Sequence, residues 1–515
     1  MHQFITRHAD KITGVLSGFD RLVFRGHLQW LCHDRGLYTF LASQKVLLKH
    51  FGKYVQSVTK TIRSGASGVA DRLHLPTRYL ESSNLSKEEI AREFLAQRPV
   101  RAGPICVLSA TEPCWSWRVW RSRKHEHAQQ LRRHSTKCLH YYHYFFDRDL
   151  GFGHVRVQTW MPYTVQICIN GREWLARQLQ RSRLRHCRIA NSFPRIASPD
   201  RAQQIFDRLP GLTWPRILDR LVQRANPALA SVIDAVGTGY YWTVHQAEWA
   251  TDVMFRDPDA LARRYPALVR HAIADFDSRE VLRFLARKHM PSGSIELTSD
   301  YKRRTEGVRV KHFVHGNSIK MYDKAGSVLR VETTINRPDQ FSVRRKAQGF
   351  PDSAVRRRPI RKNVADMRRL ARAAQRCNDR YLDALSVVDD SQTVAEVVLP
   401  VTVPASIGDR RVRGLRPWAN PDLPLLRAVG SGEFFVNGLR NRDLLARLFP
   451  GDHDPAERKR LAARVTRLLR LLRAHAVIEK IEGTHRYRVT LSGRRLIAAV
   501  VAAGAAPLSL LKQPA

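Results

Sequence analysis

Acidic residues are scarce in this sequence beside basic ones: 46 Asp and Glu stand against 88 Lys and Arg, a formal net charge of +42 over 515 residues. Such an excess repels itself unless a polyanion is nearby. Cysteine is also sparse, with seven residues at Cys32, Cys106, Cys114, Cys138, Cys168, Cys187 and Cys377. Their odd number, scattered spacing and lack of any CxxC speak against a disulfide framework and a zinc ribbon. No run reaches the ~18 apolar residues needed to cross a bilayer. The opening MHQFITRHADKITG has no apolar signal-peptide stretch, so the expected compartment is the cytoplasm. The nearest apolar candidate, 496–511, is broken by Gly504, Pro507 and Ser509 and reads as a closing helix and tail. No GxxxxGK[ST] loop is present, which removes the commonest ATP cradle.

What is there supports a folded chain. The apolar share is 43%, with 10 Trp, 14 Tyr and 20 Phe, and at ~150 residues per domain the length implies roughly three or four domains. For the positive charge, phosphate backbones are the leading partner, because each Lys or Arg laid on a phosphate releases condensed counterions. A membrane surface ranks lower, since basic membrane binders pair charge with an apolar helix face and none stands out. Solvated helix faces and an arginine-rich codon bias account for part of the excess without any partner.

Along the chain, GVLSGFDRLVFRG at 14–26 reads as a buried strand bounded by glycines, and a helical pattern follows over 37–58. SNLSKEEIAREFLAQ predicts a helix over 86–97 with Asn84 or Ser86 as N-cap. KCLHYYHYFF, the turn DRDLGFG and HVRVQTW make a β-hairpin. A strand over 163–169 then enters the turn pair Asn170-Gly171 and a helix, and helical patterns with several prolines continue to about residue 290. Four short β-like runs over 293–335 form a meander, followed by a basic stretch whose second half is helical, and then a Pro, Val and Thr-rich linker over 391–424. The fold class is therefore α+β multidomain, with a mixed body of antiparallel hairpins and meander. The expected units are an N-terminal α/β region over 1–110, a central region over 111–345 and a basic helical connector and linker over 346–402. A winged helix-turn-helix over 403–503 and a tail over 504–515 complete the chain.

The C-terminal pattern carries the strongest motif. LPLLRAVGSGEF and LRNRDLLARLF give two helices, and Pro455 opens a third in which Leu461, Val465, Leu468, Leu469 and Leu472 form one apolar face. Arg458, Arg464, Arg467 and Arg470 lie largely off that face, beside Lys459, Arg460 and Arg473. Two strands, IEKIEG and RYRVTLSG, make a wing with Lys480, His485, Arg486 and Arg488 near its tip. The run Tyr487 to Arg494 resembles the wing-to-helix junction of the MarR and ArsR families of winged-helix regulators. That resemblance, over about 80 residues, implies DNA binding by these basic side chains; a protein-binding or dimerising winged helix is the plainer alternative.

In the meander, IKMYDKAGSVLRVET resembles a hairpin of replication initiators from rolling-circle plasmids and filamentous phages, matched at Tyr322, Asp323, Lys324, Arg330 and Glu332. The resemblance implies Tyr322, Asp323 and Glu332 as catalytic residues, with a divalent metal polarising a scissile phosphate. Glu296, Asp300, Asp323 and Glu332 are the candidate Mg²⁺ donors. No paired histidines in the His, bulky residue, His pattern accompany them, and an ordinary hairpin with surface ion pairs explains the same residues. Asp20, with Asp147 or Asp149, is a second acidic candidate, set against a simple pairing with Arg21 and turn chemistry. His125, His127, His134, His140 and His143 with Cys138 invite zinc, but His140 and His143 fall on opposite faces of a strand. Tyr141 to Phe146 suit base stacking or, more simply, a sheet core.

The whole chain, from HADKITGVLSGFDRLVFRG onward, is similar to uncharacterised bacterial proteins associated with mobile elements. The resulting expectation is a DNA-binding protein of a bacterial replicon or mobile element, replication-initiator-like or transposition-related, with Mg²⁺-dependent DNA nicking if it is an enzyme. The alternatives are a non-catalytic regulator or architectural DNA binder and an RNA-binding protein; no membrane partner is expected.

Overall fold

A computed structural model of the chain describes residues 1–82, 85–121, 129–274, 276, 278–285, 298–304, 307–347, 349–350, 352–386, 394–408, 410–431, 434, 438–481 and 483–505. Thirteen of its strands are β1 (Ile12–His27), β2 (Thr77–Leu80), β3 (Gly103–Arg121), β4 (Gln129–Asp147), β5 (Gly151–Gln158), β6 (Val165–Asn170), β7 (His186–Ile189), β8 (Ser192–Ile196), β9 (Tyr241–Phe255), β10 (Thr298–Arg304), β11 (Gly307–Val314), β12 (Asn317–Lys324) and β13 (Val328–Ile335). Eleven of these make one sheet in the order β10-β11-β12-β13-β9-β1-β6-β5-β4-β3-β2, and β7 and β8 pair separately as a hairpin. Every neighbouring pair in the large sheet is antiparallel except β2 with β3.

The first long strand in sequence is the middle strand in space. Leu16, Phe19, Leu22 and Phe24 of β1 are fully buried, the near-continuous apolar run expected of a strand covered on both faces. β6 flanks β1 only from Arg21 onward. At Ser17 the free edge is closed by a side chain instead: the Gln203 amide accepts from Ser17 N at 2.7 Å and donates to Ser17 O at 2.9 Å. The helix Pro199–Phe206 that carries Gln203 thus takes the place of a twelfth strand there, satisfying backbone groups that would otherwise be orphaned.

Helices cover both faces of this central region. On one face lies Met367–Leu385, whose Asn378 amide donates to Trp249 O, Val331 O and Thr251 Oγ1 and accepts from Thr333 Oγ1. On the other lies Gly171–Arg181, capped by Asn170, whose Oδ1 accepts from Arg172 N at 2.8 Å and Glu173 N at 3.3 Å. The expected turn at Asn170-Gly171 is therefore a helix N-cap.

Several sequence-based boundaries move. The division at 110/111 falls inside β3, and one sheet spans both expected regions. The stretch read as helical to residue 290 contains β9, whose aromatic and β-branched YWTVHQAEWATDVMF pairs on both sides, with β1 and β13. The basic connector is no linker: Leu370, Ala374, Cys377, Tyr381 and Leu382 of Met367–Leu385 belong to the main core. Its first half is a hairpin, Ser342–Arg345 with Arg356–Pro359. The expected helix over 37–58 is two, Asp34–Ser43 and Phe51–Arg72. The helix Lys87–Gln97, capped by Ser86, matches its expected span, as do the β4–β5 hairpin and, over its described residues, the meander.

Residues 394–505 pack a second core, including Val398, Leu426, Leu444, Val465, Leu472 and Ile497. Its elements include helices Val394–Thr402, Asp422–Val429, Asn441–Leu448, Pro455–Ala474 and Leu491–Ala505, and a ribbon of Ile478–Lys480 with Tyr487–Val489. Val398 and Leu415 place the expected linker inside this core. Among the described residues no helix is long and apolar enough to cross a membrane.

Gly171 is required by a close approach: a Cβ there would lie 2.2 Å from Phe19 O of β1. Gly171→Ala must push the helix off the central strand, and we expect a loss of about 1–3 kcal/mol in denaturant unfolding. An unchanged unfolding midpoint would show that the helix and β1 separate freely.

Candidate functional site

Side-chain alternation divides the meander residues between two faces. Lys320 pairs with Glu332 and Tyr322 with Arg330, so these four share one face. Asp323 pairs with Leu329 and points the other way, beside Tyr265. One of its oxygens is buried without a hydrogen bond, and burial raises its carboxyl above the ordinary aspartate value. The expected pairing of Asp323 with Glu332 around a metal is therefore not formed, because residues of opposite parity leave opposite sides of a sheet. Asp300 does share the Glu332 face, but three strand spacings, roughly 14 Å, separate β10 from β13. It is engaged by Arg309 at 3.0 Å and Lys302 at 3.3 Å. Glu296 lies outside the described residues. Among those described, no group of three or more His, Cys, Asp and Glu side chains is arranged to hold a metal ion.

What the face does assemble is a sealed ionic quartet. Arg330, fully buried on β13, donates from Nε to Asp252 Oδ1 at 2.6 Å, from Nη2 to Asp252 Oδ2 at 2.9 Å and from Nη1 to Asp20 Oδ2 at 3.0 Å. Arg172, also fully buried, donates to Asp252 Oδ2 at 2.8 Å and Ala250 O at 3.0 Å. The Asn170 and Asn191 amides donate to Asp20 as well, at 2.8 Å and at 2.7 and 2.9 Å. Two guanidinium and two carboxylate groups thus balance, and β1, β9, β13, the helix at Gly171 and the β7–β8 turn are tied at one point. Burial pushes the Asp20 carboxyl up, but Arg330, Arg172 and the two amides outweigh it and hold it below the usual value. Asp20 is consequently a structural counter-ion, and its expected companion Asp147 serves its own turn, accepting from Asp149 N and Leu150 N.

Next to the quartet the same face opens. Tyr322 donates to Glu332 Oε2 at 2.9 Å, and Lys320 Nζ lies 2.7 Å from Oε1. One strand further in, Glu248 on β9 accepts from Gln246 at 2.8 Å. Burial and the facing Glu332 charge raise the Glu248 carboxyl to about 7, against the counter-pull of Lys320 and Arg21. Tyr322, buried beside Glu332, stays protonated as a donor, its value well above 10. The chemistry available here is proton exchange at Glu248 near neutral pH. Of the expected catalytic set, Tyr322 and Glu332 come together; Glu248, Lys320, Arg172 and Asp252 were not expected there. The run HQAEWATD carries the alternation that marks Glu248 and Asp252 as one face, a signal lost once the segment is read as helical.

The histidines do not converge. His140 and His143 are buried on opposite faces of β4, as the strand period requires. Cys138 Sγ lies 3.9 Å from His140 Nδ1 and 3.2 Å from Cys114 Sγ; His125 and His127 lie outside the described residues. Tyr142 and Tyr144 pack with Phe152 and Ile90 in a core, the simpler of the two expectations for these aromatics.

The C-terminal basic side chains have a different setting. On Pro455–Ala474, whose N-cap Asp454 accepts from Glu457 N, the apolar Leu461, Val465, Leu469 and Leu472 are buried. Arg458, Lys459, Arg464, Arg467 and Arg473 are exposed and Arg470 is half-buried. Arg464 lies over the Phe449 ring at 5.3 Å. Of the ribbon residues, Lys480, His485 and Arg488 are exposed and Arg486 half-buried; Arg488 forms an ion pair with Glu479.

Two substitutions test the sheet centre. Asp20→Asn leaves Arg330 short of compensating charge, and a stability loss of about 3–5 kcal/mol is expected at neutral pH; a loss under about 1 kcal/mol would remove the quartet's structural role. The raised value of Glu248 means that the folded state holds this proton more tightly than the unfolded chain, so stability declines as pH rises from 4.5 to about 7. Glu248→Gln should recover on the order of 1–3 kcal/mol at pH 8 and nothing at pH 4, read as melting temperatures across pH. A shift independent of pH would contradict the assignment.

No protein-family model, curated protein or solved structure matches this chain.

Proposed function

We propose that the chain is a DNA-binding protein whose residues 403–503 form a winged helix that docks on duplex DNA, with Pro455–Ala474 as the recognition helix and the ribbon at Lys480 and His485 as the wing. The observation that carries this reading is the sidedness of that helix: its leucine and valine face is spent on the core while Arg458, Arg464 and Arg467 stand in solvent. A helix so divided lays guanidinium groups along phosphates or base edges at the cost of little internal rearrangement. The chain's net charge of +42 favours a polyanion over a neutral partner.

Within this reading a non-catalytic binder is favoured over a Mg²⁺-dependent nickase, because Asp323 and Glu332 leave opposite faces of the sheet. A role at a bacterial replicon or mobile element is the biological setting we propose, through the resemblance of the wing to MarR and ArsR regulators and of the chain to mobile-element proteins. The 400-residue body then supplies a platform whose face carries Glu248, Glu332, Lys320 and Arg25.

Binding is measured by fluorescence anisotropy with full-length protein and a labelled duplex over a range of salt. We expect Arg464→Gln/Arg467→Gln to weaken binding about tenfold or more and to lower the slope of log K against log salt by about 2. Unaltered affinity and slope in that variant would overturn the recognition-helix assignment, and preference for a structured RNA competitor would overturn the duplex assignment.

A further inference from the structure

At one end of the polar sheet face, where β1 runs out and the β5–β6 connection turns, lies a cavity of about 170 Å³. Arg25, His27, Arg133, Arg156 and Gln166 are among its lining residues, and among the described residues no Asp or Glu lines it. Of its cationic side chains, Arg156 is already committed, with its guanidinium on Glu112 Oε2 at 2.7 and 3.1 Å. Arg25 has no such partner: the neighbour within hydrogen-bond reach is His245 Nε2 at 3.4 Å, a ring nitrogen with no charge to offer. Arg133 is held over the Trp115 and Trp117 rings at 5.8 and 6.0 Å, which supports the cation without neutralising it.

Among the described residues, the charged neighbour acting on Arg25 is another cation. Burial lowers its proton affinity, and Arg156, facing it from β5, lowers it further. His27, His245 and Lys362 complete the cluster; burial, with the Arg25 and Lys362 charges, holds both histidines at about 4, so they are neutral at physiological pH. Two further polar side chains of the lining, Gln158 and Ser116, are already engaged. The Gln158 amide donates to Trp115 O and Trp160 O and accepts from Thr164 Oγ1, and Ser116 donates to Met161 O. A half-buried guanidinium beside like charge, in a walled recess with no carboxylate among its described lining residues, is an unfavourable arrangement that an anion relieves. The recess is smaller than the ~300–1,000 Å³ typical of drug-sized ligands, which suits a compact anion, and the planar fork of Arg25 matches two oxygens of a tetrahedral one.

We propose that this recess is a phosphoryl-binding site, with Arg25 as its principal ligand, Arg133 as a second cation and the Gln166 amide beside Arg25 on the adjoining strand. It is separate from the C-terminal basic helix and does not depend on that helix contacting DNA. The phosphoryl group reaches it either as a free anion or as the terminal phosphate of a nucleic-acid strand.

Titration calorimetry on the full-length protein tests the site with inorganic phosphate, pyrophosphate, and an oligothymidylate with or without a 5′-phosphate. Wild type should show saturable binding of at least one phosphoryl probe. Arg25→Gln should weaken it tenfold or more, Arg25→Lys should give an intermediate loss, and the exposed, distant Arg78→Gln should leave it unchanged. Tighter binding of the 5′-phosphorylated strand than of its 5′-hydroxyl twin, lost in Arg25→Gln, assigns the site to strand ends; equal loss for pyrophosphate alone assigns it to free anions. Arg464→Gln/Arg467→Gln must leave the phosphate and pyrophosphate titrations intact, which separates this site from the DNA reading above. Absence of saturable binding by every phosphoryl probe overturns the proposal. So does unchanged affinity in an Arg25→Gln protein that melts like wild type.

Discussion

Charge compensation inside the sheet is the constraint on which the rest of this molecule depends. Arg330, Arg172, Asp20 and Asp252 meet where three neighbouring strands and a helix cross, out of contact with water. Removing any one member strands an opposite charge in a medium of low polarity, so the four stand or fall together. Their union also fixes order: β1, the first strand of the sheet, must recruit β9 and β13 from more than 200 residues downstream before its aspartate has a partner. A sheet built on such distant pairings closes large loops, an entropic cost that only the assembled core offsets.

From that sealed centre the same face grades outward in polarity. Glu332 is buried but held by Lys320 and Tyr322, burial and the Glu332 charge raise the Glu248 carboxyl to about 7, and Arg25 looks into a recess with no acid among its described lining residues. Asp20 and Asp252 are spent on the buried guanidinium groups at the sheet centre, while Arg458, Arg464 and Arg467 of the C-terminal helix stand exposed. In a chain with nearly twice as many basic as acidic residues, each carboxylate committed to Arg330 and Arg172 is one fewer to offset the surface guanidinium groups.

Local patterns were legible wherever local chemistry decides. Ser86 caps its helix, the aromatic alternation of 138–146 makes a hairpin, and the heptad-like leucines after Pro455 bury one helix face. Longer-range choices were not legible. YWTVHQAEWATDVMF follows a run of proline-interrupted helices and inherits their reading, although its composition is that of a strand; only pairing with β1 and β13 declares it central. The basic helix Met367–Leu385 looks like a solvated connector, yet Asn378 is fully buried and satisfies four groups of β9 and β13.

The sequence by itself determined the charge excess, the strand at Gly14 to Gly26, the meander around Tyr322 and Glu332, and the sidedness of the arginine-bearing helix, because each follows from periodicity and residue type within a few turns of chain. Tertiary structure alone decided that Asp323 turns away from Glu332, that Asp20 serves Arg330 and that Glu248 and Arg25 occupy one face. Those outcomes depend on strand order and register, which are settled by the packing of distant segments and leave no mark on any single stretch of sequence.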